Sequence, residues 1–282
     1  MTGTNRNLAV RVMTALVLLP GVLYLLWLGG APFALLVAAA AALCAWELNQ
    51  LPSQAPEPPA QMRGLGGVIA SVGAAFLLPL TEGVEIPGFT TKAILSVLVV
   101  VAFADALLFD PEPSRAPQRV GLAVLGAVYP GVLMSALVHL RRLPEGLAWL
   151  ILTLVVTWLN DTGAYFVGRA LGRRKLYPSI SPSKTWEGAA GGLVASVAGG
   201  LGAKAFFGPS TLPWWGAAAV GVGAGVVGPL GDLSESMLKR AYGAKDSSRL
   251  LPGHGGLLDR IDALLFTAPF VLFCARAFAG LR

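Results

Sequence analysis

The sequence predicts an all-α, polytopic integral membrane protein with about nine transmembrane helices, and three observations carry that reading. Only 13% of the 282 residues are charged and 55% are hydrophobic, where a soluble domain carries about 25% charged residues. Apolar stretches close to the roughly 18 to 20 residues needed to cross a bilayer recur along the whole chain. Between them lie short polar or Pro/Gly-rich pieces.

Taken in order, the first apolar run, 11–28, has no A-x-A-like cleavage site and is followed by many others, so it reads as a retained span. The second, 31–48, ends at Trp46, Glu47 and the Pro-rich spacer LPSQAPEPPA. Spans follow at 64–80, at 92–109, which contains Asp105, and at 119–140, where His139 reads as structural. The set is completed by 147–167, 188–207, 213–231 and 261–280. One membrane domain is expected, with N-terminal helices in 1–140 and motif-bearing C-terminal helices in 141–282. Cys44 and Cys274 have neither metal-type nor CxxC spacing and are assigned to packing.

When the 21 Lys and Arg residues are assigned to alternate sides, only Lys92, Arg141, Arg142, Lys204, Arg276 and Arg282 fall opposite the N-terminus, which leaves 15 on its own side. The positive-inside rule then places the N-terminus in the cytoplasm and the C-terminus outside the inner membrane of the cell. The net charge of +6 reflects this topology and attraction to anionic lipid; no basic-aromatic module for nucleic acid is visible. The GAGVVG run at Gly223, Gly225 and Gly228 fits G-x-G-x-x-G formally but lies inside an apolar span, with no strand before it. Gly188 with Gly192, and Gly221 with Gly225, are small-xxx-small pairs that let helix backbones approach closely in lipid.

Polar chemistry concentrates in two segments on the N-terminal side, 160–187 and 231–262. The first opens NDTGAYFVGR, putting Asn160 and Asp161 near the membrane surface, where a carboxylate needs a partner. It continues to SPSKTWEG, in which the hydroxyls of Ser181, Ser183 and Thr185 surround the Lys184 ammonium at the entry to the seventh span. Hydroxyls, N–H groups and a cation at a helix start suit phosphate, although Thr185 or Ser183 acting as an ordinary N-cap explains the same letters. In the second segment Asp232, Glu235 and Lys239 fall on one helix face with Ser236 beside them, an arrangement able to hold metal and phosphate. Further along are Arg240, Lys245, Asp246 and a tight Pro/Gly loop around His254, and then Asp259, Arg260 and Asp262. Asp259 and Asp262 share a helix face, and hard carboxylate oxygens suit Mg²⁺. Glu235, Ser247 and Arg249 read as solvated loop residues, and Asp105 either pairs within the bundle or marks a transport path.

These residues resemble the phosphatidate cytidylyltransferase family, the CDP-diacylglycerol synthases. Ser236 through Asp262 fits the pattern S-x-apolar-K-R, four residues, K-D, a spacer, then H-G-G-apolar-x-D-R-apolar-D. NDTGAY and SPSKTWEG also look like family motifs, so the resemblance covers the C-terminal half strongly, while the N-terminal half matches only in being hydrophobic. The resemblance implies a multi-helix membrane enzyme that uses CTP and phosphatidate, requires Mg²⁺ and is often a homodimer. Asp232 and Asp259, at the inner ends of the eighth and ninth spans, are expected to hold Mg²⁺ first, with Asp246, Asp262 or Asp161 as further ligands and room for a second cation. Lys239, Arg240, Lys245 and Arg260 would hold phosphates, His254 would orient or bind one, and Lys184 with its neighbouring hydroxyls would take the CTP or the lipid phosphate. A CTP-dependent polyisoprenol kinase is the nearest enzyme alternative; a secondary transporter would instead need midplane charges or repeated halves.

Overall fold

A computed structural model of the chain describes residues 19–55, 65–83, 90–109, 112–248, 250 and 255–279. The helices are α1 (Leu19–Leu28), then α2 (Gly30–Gln50), α3 (Leu65–Gly83), α4 (Thr91–Phe109), α5 (Ala116–Arg142), α6 (Gly146–Leu171), α7 (Trp186–Phe207), α8 (Trp214–Ala241) and α9 (Leu258–Ala279). Eight of them, α2 to α9, are long and apolar enough to cross a bilayer. The chain is therefore an integral membrane protein. The shorter α1 is the end of the first expected span, whose residues 11–18 lie outside the described residues.

Two local differences from the sequence reading concern the motifs. SPSKT stands at the entry to α7 as expected, but as a strand: Ser181–Thr185 forms β2, antiparallel to β1 (Lys175–Tyr177), with Lys175 opposite Thr185 and Tyr177 opposite Ser181. The cause is local, since Tyr177 and Ser181 each precede a proline, which drives the residue before it toward extended backbone. Helix α8 also runs ten residues past its expected end at 231, because SESMLKRA contains only tolerable helix formers and no Gly or Pro. The chain leaves it at Gly243, which has a left-handed φ of 66°.

The chain divides into two compact units, residues 1–138 with 241–260, and residues 139–240 with 261–282. In the first, Ala74 and Leu78 of α3 pack with Ile94 and Leu98 of α4 and Ala127 of α5, and a second apolar cluster joins Ala102, Ala106, Val120 and Ala123. Beside the second cluster, Asp105 Oδ2 accepts a 2.8 Å bond from Arg119 Nη2, and its Oδ1 accepts from the Gly66 N–H at 3.0 Å. Asp105 is thus a buried structural partner, the first of the two roles the sequence allowed it. In the second unit α6, α7 and α8 pack through their glycines. A Cβ on Gly192 would stand 2.8 Å from the Asn160 carbonyl, one on Gly221 2.6 Å from Val197 Cα, and one on Gly225 3.0 Å from Leu193 Cα. These are the small-residue contacts the spacing suggested. His139 accepts from Arg276 Nη2 at 2.8 Å, and the Glu145 carboxylate accepts from the Ser210 N–H and hydroxyl.

Candidate active site

In the second unit, side chains from four elements converge. Lys184 on β2 pairs its ammonium with Oδ2 of Asp232 on α8, and the two side chains remain 25% and 29% exposed. One turn along α8, the Ser236 hydroxyl reaches Asp232 Oδ1 at 3.4 Å. Asp161 of α6 is within electrostatic range of Asp232 and Lys184, and Asp262 of α9 is within range of all three. Three carboxylates therefore lie within electrostatic range of one ammonium, and the Lys184–Asp232 pair is open enough to admit a polar ligand. The hairpin that carries Lys184 is itself anchored: Glu187 accepts from the N–H groups of Arg173 and Arg174, and Arg240 Nε donates to Ile180 O at 3.2 Å.

The remaining expected residues of this unit are distributed less simply. Thr185 is buried and its Oγ1 accepts from Gly188 N at 3.1 Å, so it is the N-cap of α7. Ser181 is half-buried and Ser183 exposed, both on the hairpin. Asn160 is buried and donates to Gly225 O of α8 at 3.3 Å. It ties helices together well inside α6 and does not lie open near the surface. Lys239 is 8% exposed and forms a 2.5 Å ion pair with Glu235, which is 1% exposed. The reading of Glu235 as a solvated residue is overturned, because an i, i+4 partner inside the packed face of α8 compensates its burial.

The first unit holds the other half of the motif. Asp259 Oδ2 accepts from Gly256 N at 2.8 Å, Ser247 N at 3.0 Å and Ser247 Oγ at 3.1 Å. Lys245, Asp246 and Arg260 are exposed around this loop, whereas His254 and Arg249 lie outside the described residues. Ser247, expected to be solvated, is fully buried between two acids. The second acid is Glu47 of α2, which the sequence reading passed over as the end of a span. It is 0% exposed and accepts from Ser248 Oγ at 2.6 Å and from the Leu257 and Leu258 N–H groups at 2.8 Å each. One signal was present in the letters: an acid inside an apolar run needs partners.

Asp232 and Asp259, expected to share one cation, belong to different units, and the carboxylates gathered with Asp232 are Asp161 and Asp262. Among the described residues no group of three or more His, Cys, Asp or Glu side chains forms a ready-made metal cage. Such a donor set fits Mg²⁺, which commonly takes one or two carboxylates and completes its shell with substrate phosphates and water.

Fold and site together define a class, a helical membrane enzyme whose charged groups lie within α6 and α8, near the start of α9 and on one short hairpin. The pattern of the Cytidylyltransferase family matches residues 9–278, and the chain belongs to that family. It is 37% identical over 274 residues to a phosphatidate cytidylyltransferase of Brucella suis, covering 97% of this chain and 95% of that one. It is 35% identical over 282 residues to the protein of that name from Bacillus subtilis, covering 95% and 98%. A third of the same name, from Haemophilus influenzae, is 39% identical over 185 residues, 62% of each chain. The likeness thus reaches through the N-terminal half, where the motifs had shown nothing beyond hydrophobicity.

Proposed function

We propose that the chain is a phosphatidate cytidylyltransferase, transferring the cytidylyl group of CTP to phosphatidate to form CDP-diacylglycerol and pyrophosphate. The observation that carries this reading is the open Lys184–Asp232 pair with Asp161 and Asp262 beside it, in a chain similar along nearly all its length to relatives so named. A phosphate oxygen of phosphatidate attacks the α-phosphorus of CTP; that P–O bond forms as the bond to the β-phosphate oxygen breaks, and pyrophosphate leaves. No protein nucleophile is needed, so catalysis consists of positioning and charge neutralisation.

Within the second unit Lys184 holds a phosphate, with the Ser236 hydroxyl beside its partner Asp232 and Arg240 as a further cation, and Ser181 and Ser183 are candidate hydroxyl donors on the same hairpin; Lys245 and Arg260, in the first unit, are proposed phosphate-binding cations from their place in the motif. Asp232, with Asp262 or Asp161, would hold Mg²⁺, and Asp259 and Asp246 of the first unit are proposed acids for a second cation. When bound, Mg²⁺ neutralises phosphate charge as the pyrophosphate departs. The two motif segments and the N-terminus face the cytoplasm of the inner membrane, in keeping with the basic asymmetry of the chain. Phosphatidate reaches the site from the surrounding lipid, and a homodimer is the proposed assembly.

The test is the fate of label. Purified protein with phosphatidate, Mg²⁺ and CTP labelled at the α-phosphate should yield labelled lipid, and γ-label should leave as pyrophosphate. Lipid labelled from the γ-position would establish a kinase and refute the transfer proposed.

A further inference from the structure

We propose that Glu47 is a positioning residue for this reaction, a buried carboxylate on α2 that fixes the loop start bearing Lys245 and Asp246 to the start of α9 bearing Asp259 and Arg260. The inference rests on the cytidylyltransferase reading for its consequence and on geometry for its substance. Glu47 is 0% exposed, and Cys44, Ala45, Leu48 and Leu51 around it in sequence are buried as well. A carboxylate in such surroundings is costly unless donors surround it. The donors come from both ends of one distant loop. Ser247 Oγ at 3.1 Å and Ser248 Oγ at 2.6 Å belong to its start, and the Leu257 and Leu258 N–H groups at 2.8 Å belong to its end. Gln54, just past α2, adds a 2.9 Å bond to Ser247 O.

Capping α9 does not by itself account for this. Asp259 already satisfies the Gly256 and Ser247 N–H groups from within the loop. What Glu47 adds is a fixed point outside the loop that holds its two ends together. Leu257 and Leu258 would otherwise present orphan helix-start donors. Ser247 connects the two acids, since its hydroxyl lies 3.1 Å from both Glu47 Oε2 and Asp259 Oδ2, and a hydroxyl has one proton to donate. The charge on Glu47 therefore bears on how Asp259 is held. The same contact explains a motif letter, because a Cβ on Gly256 would come within 2.8 Å of both Glu47 oxygens. A site whose groups must be held to a fraction of an ångström needs such support behind it.

The experiment uses the full chain in detergent micelles containing phosphatidate. Glu47→Gln keeps the side-chain size and removes the charge; it should lower kcat at least tenfold, with the KM for CTP changed far less and the protein still monodisperse. Glu47→Asp, which keeps the charge on a shorter arm, should recover part of the rate. Trypsin should cleave after Lys245 several times faster in Glu47→Gln than in the parent. That readout reports the loop itself, so it decides the positioning claim even if the parent transfers no cytidylyl group. Should Glu47→Gln not fold, Ser247→Ala takes its place, removing only the connecting hydroxyl, and it should both lower kcat and speed cleavage. Parental kcat and parental cleavage in a folded variant would overturn the proposal.

Discussion

Two carboxylate–cation pairs in this chain have the same chemistry and opposite surroundings. Asp105 and Arg119 have side chains 6% and 7% exposed, with the second Asp105 oxygen taken by a backbone N–H. Asp232 and Lys184 are 29% and 25% exposed, and two further carboxylates lie in their field. The first pair is closed, each charge answered by the other within a low-dielectric interior, and it holds α4 to α5. The second is open and has more acid than base, so it has capacity for a cation and a phosphate. Pairing does not separate scaffold from site; what is left over after pairing does.

The largest effect that would sharpen this contrast is at Asp232. Asp232→Asn should cut cytidylyl transfer by about 10²- to 10³-fold, the scale of losing one charge-stabilising group, and Lys184→Gln should cut it less, both with monodispersity retained. Initial rates against Mg²⁺ concentration measure this, and near-parental rates in both would dissolve the distinction. Asp105→Asn should act the other way. Leaving Arg119 buried without its counter-charge costs about 3–5 kcal/mol of stability, seen as a lower thermal midpoint in detergent, while kcat per folded molecule stays close to the parent. A third carboxylate, Glu145, gives the smallest effect. It is exposed, and hydrogen bonds from Ser210 hold it below its ordinary value of 4.5. A lowered folded value means its contribution is present above the ordinary value and is lost as pH falls through the lowered one. Thermal melts should therefore show Glu145→Gln slightly less stable than the parent at neutral pH, with the gap closing in acid.

Much of this was legible in the letters. Membrane class followed from apolar length, and the two polar segments that supply the candidate site were found from where charges cluster. Asp232, Lys184, Asp161 and Asp262 were named from residue type, and the structure adds that they stand together. What the letters did not reveal depends on contacts between distant segments. The hairpin at 175–185 was hidden because prolines, not a hydrophobic alternation, make its strands. Glu235 and Ser247 looked solvated because their burial is supplied by packing that charge counting does not see. Asp232 and Asp259 were joined as metal ligands by their positions at the inner ends of the eighth and ninth spans, and span order does not tell that the two lie in different units. Glu47 was in view but lacked any local partner, and its partners lie 200 to 211 residues further on.

That separation has a consequence for how the protein is made. Glu47 enters the membrane early, in α2, while the hydroxyls and N–H groups that satisfy it are still to be synthesised. At about 5–20 residues per second, the ribosome needs roughly 10–40 s to reach them. During that interval a carboxylate in a hydrophobic helix must be shielded by water, by lipid headgroups or by the insertion machinery. The first unit therefore cannot be finished in the order in which it is translated: its earliest helices wait for residues near the end of the chain, and a nascent protein truncated before Ser247 lacks all four of these donors to the Glu47 carboxylate.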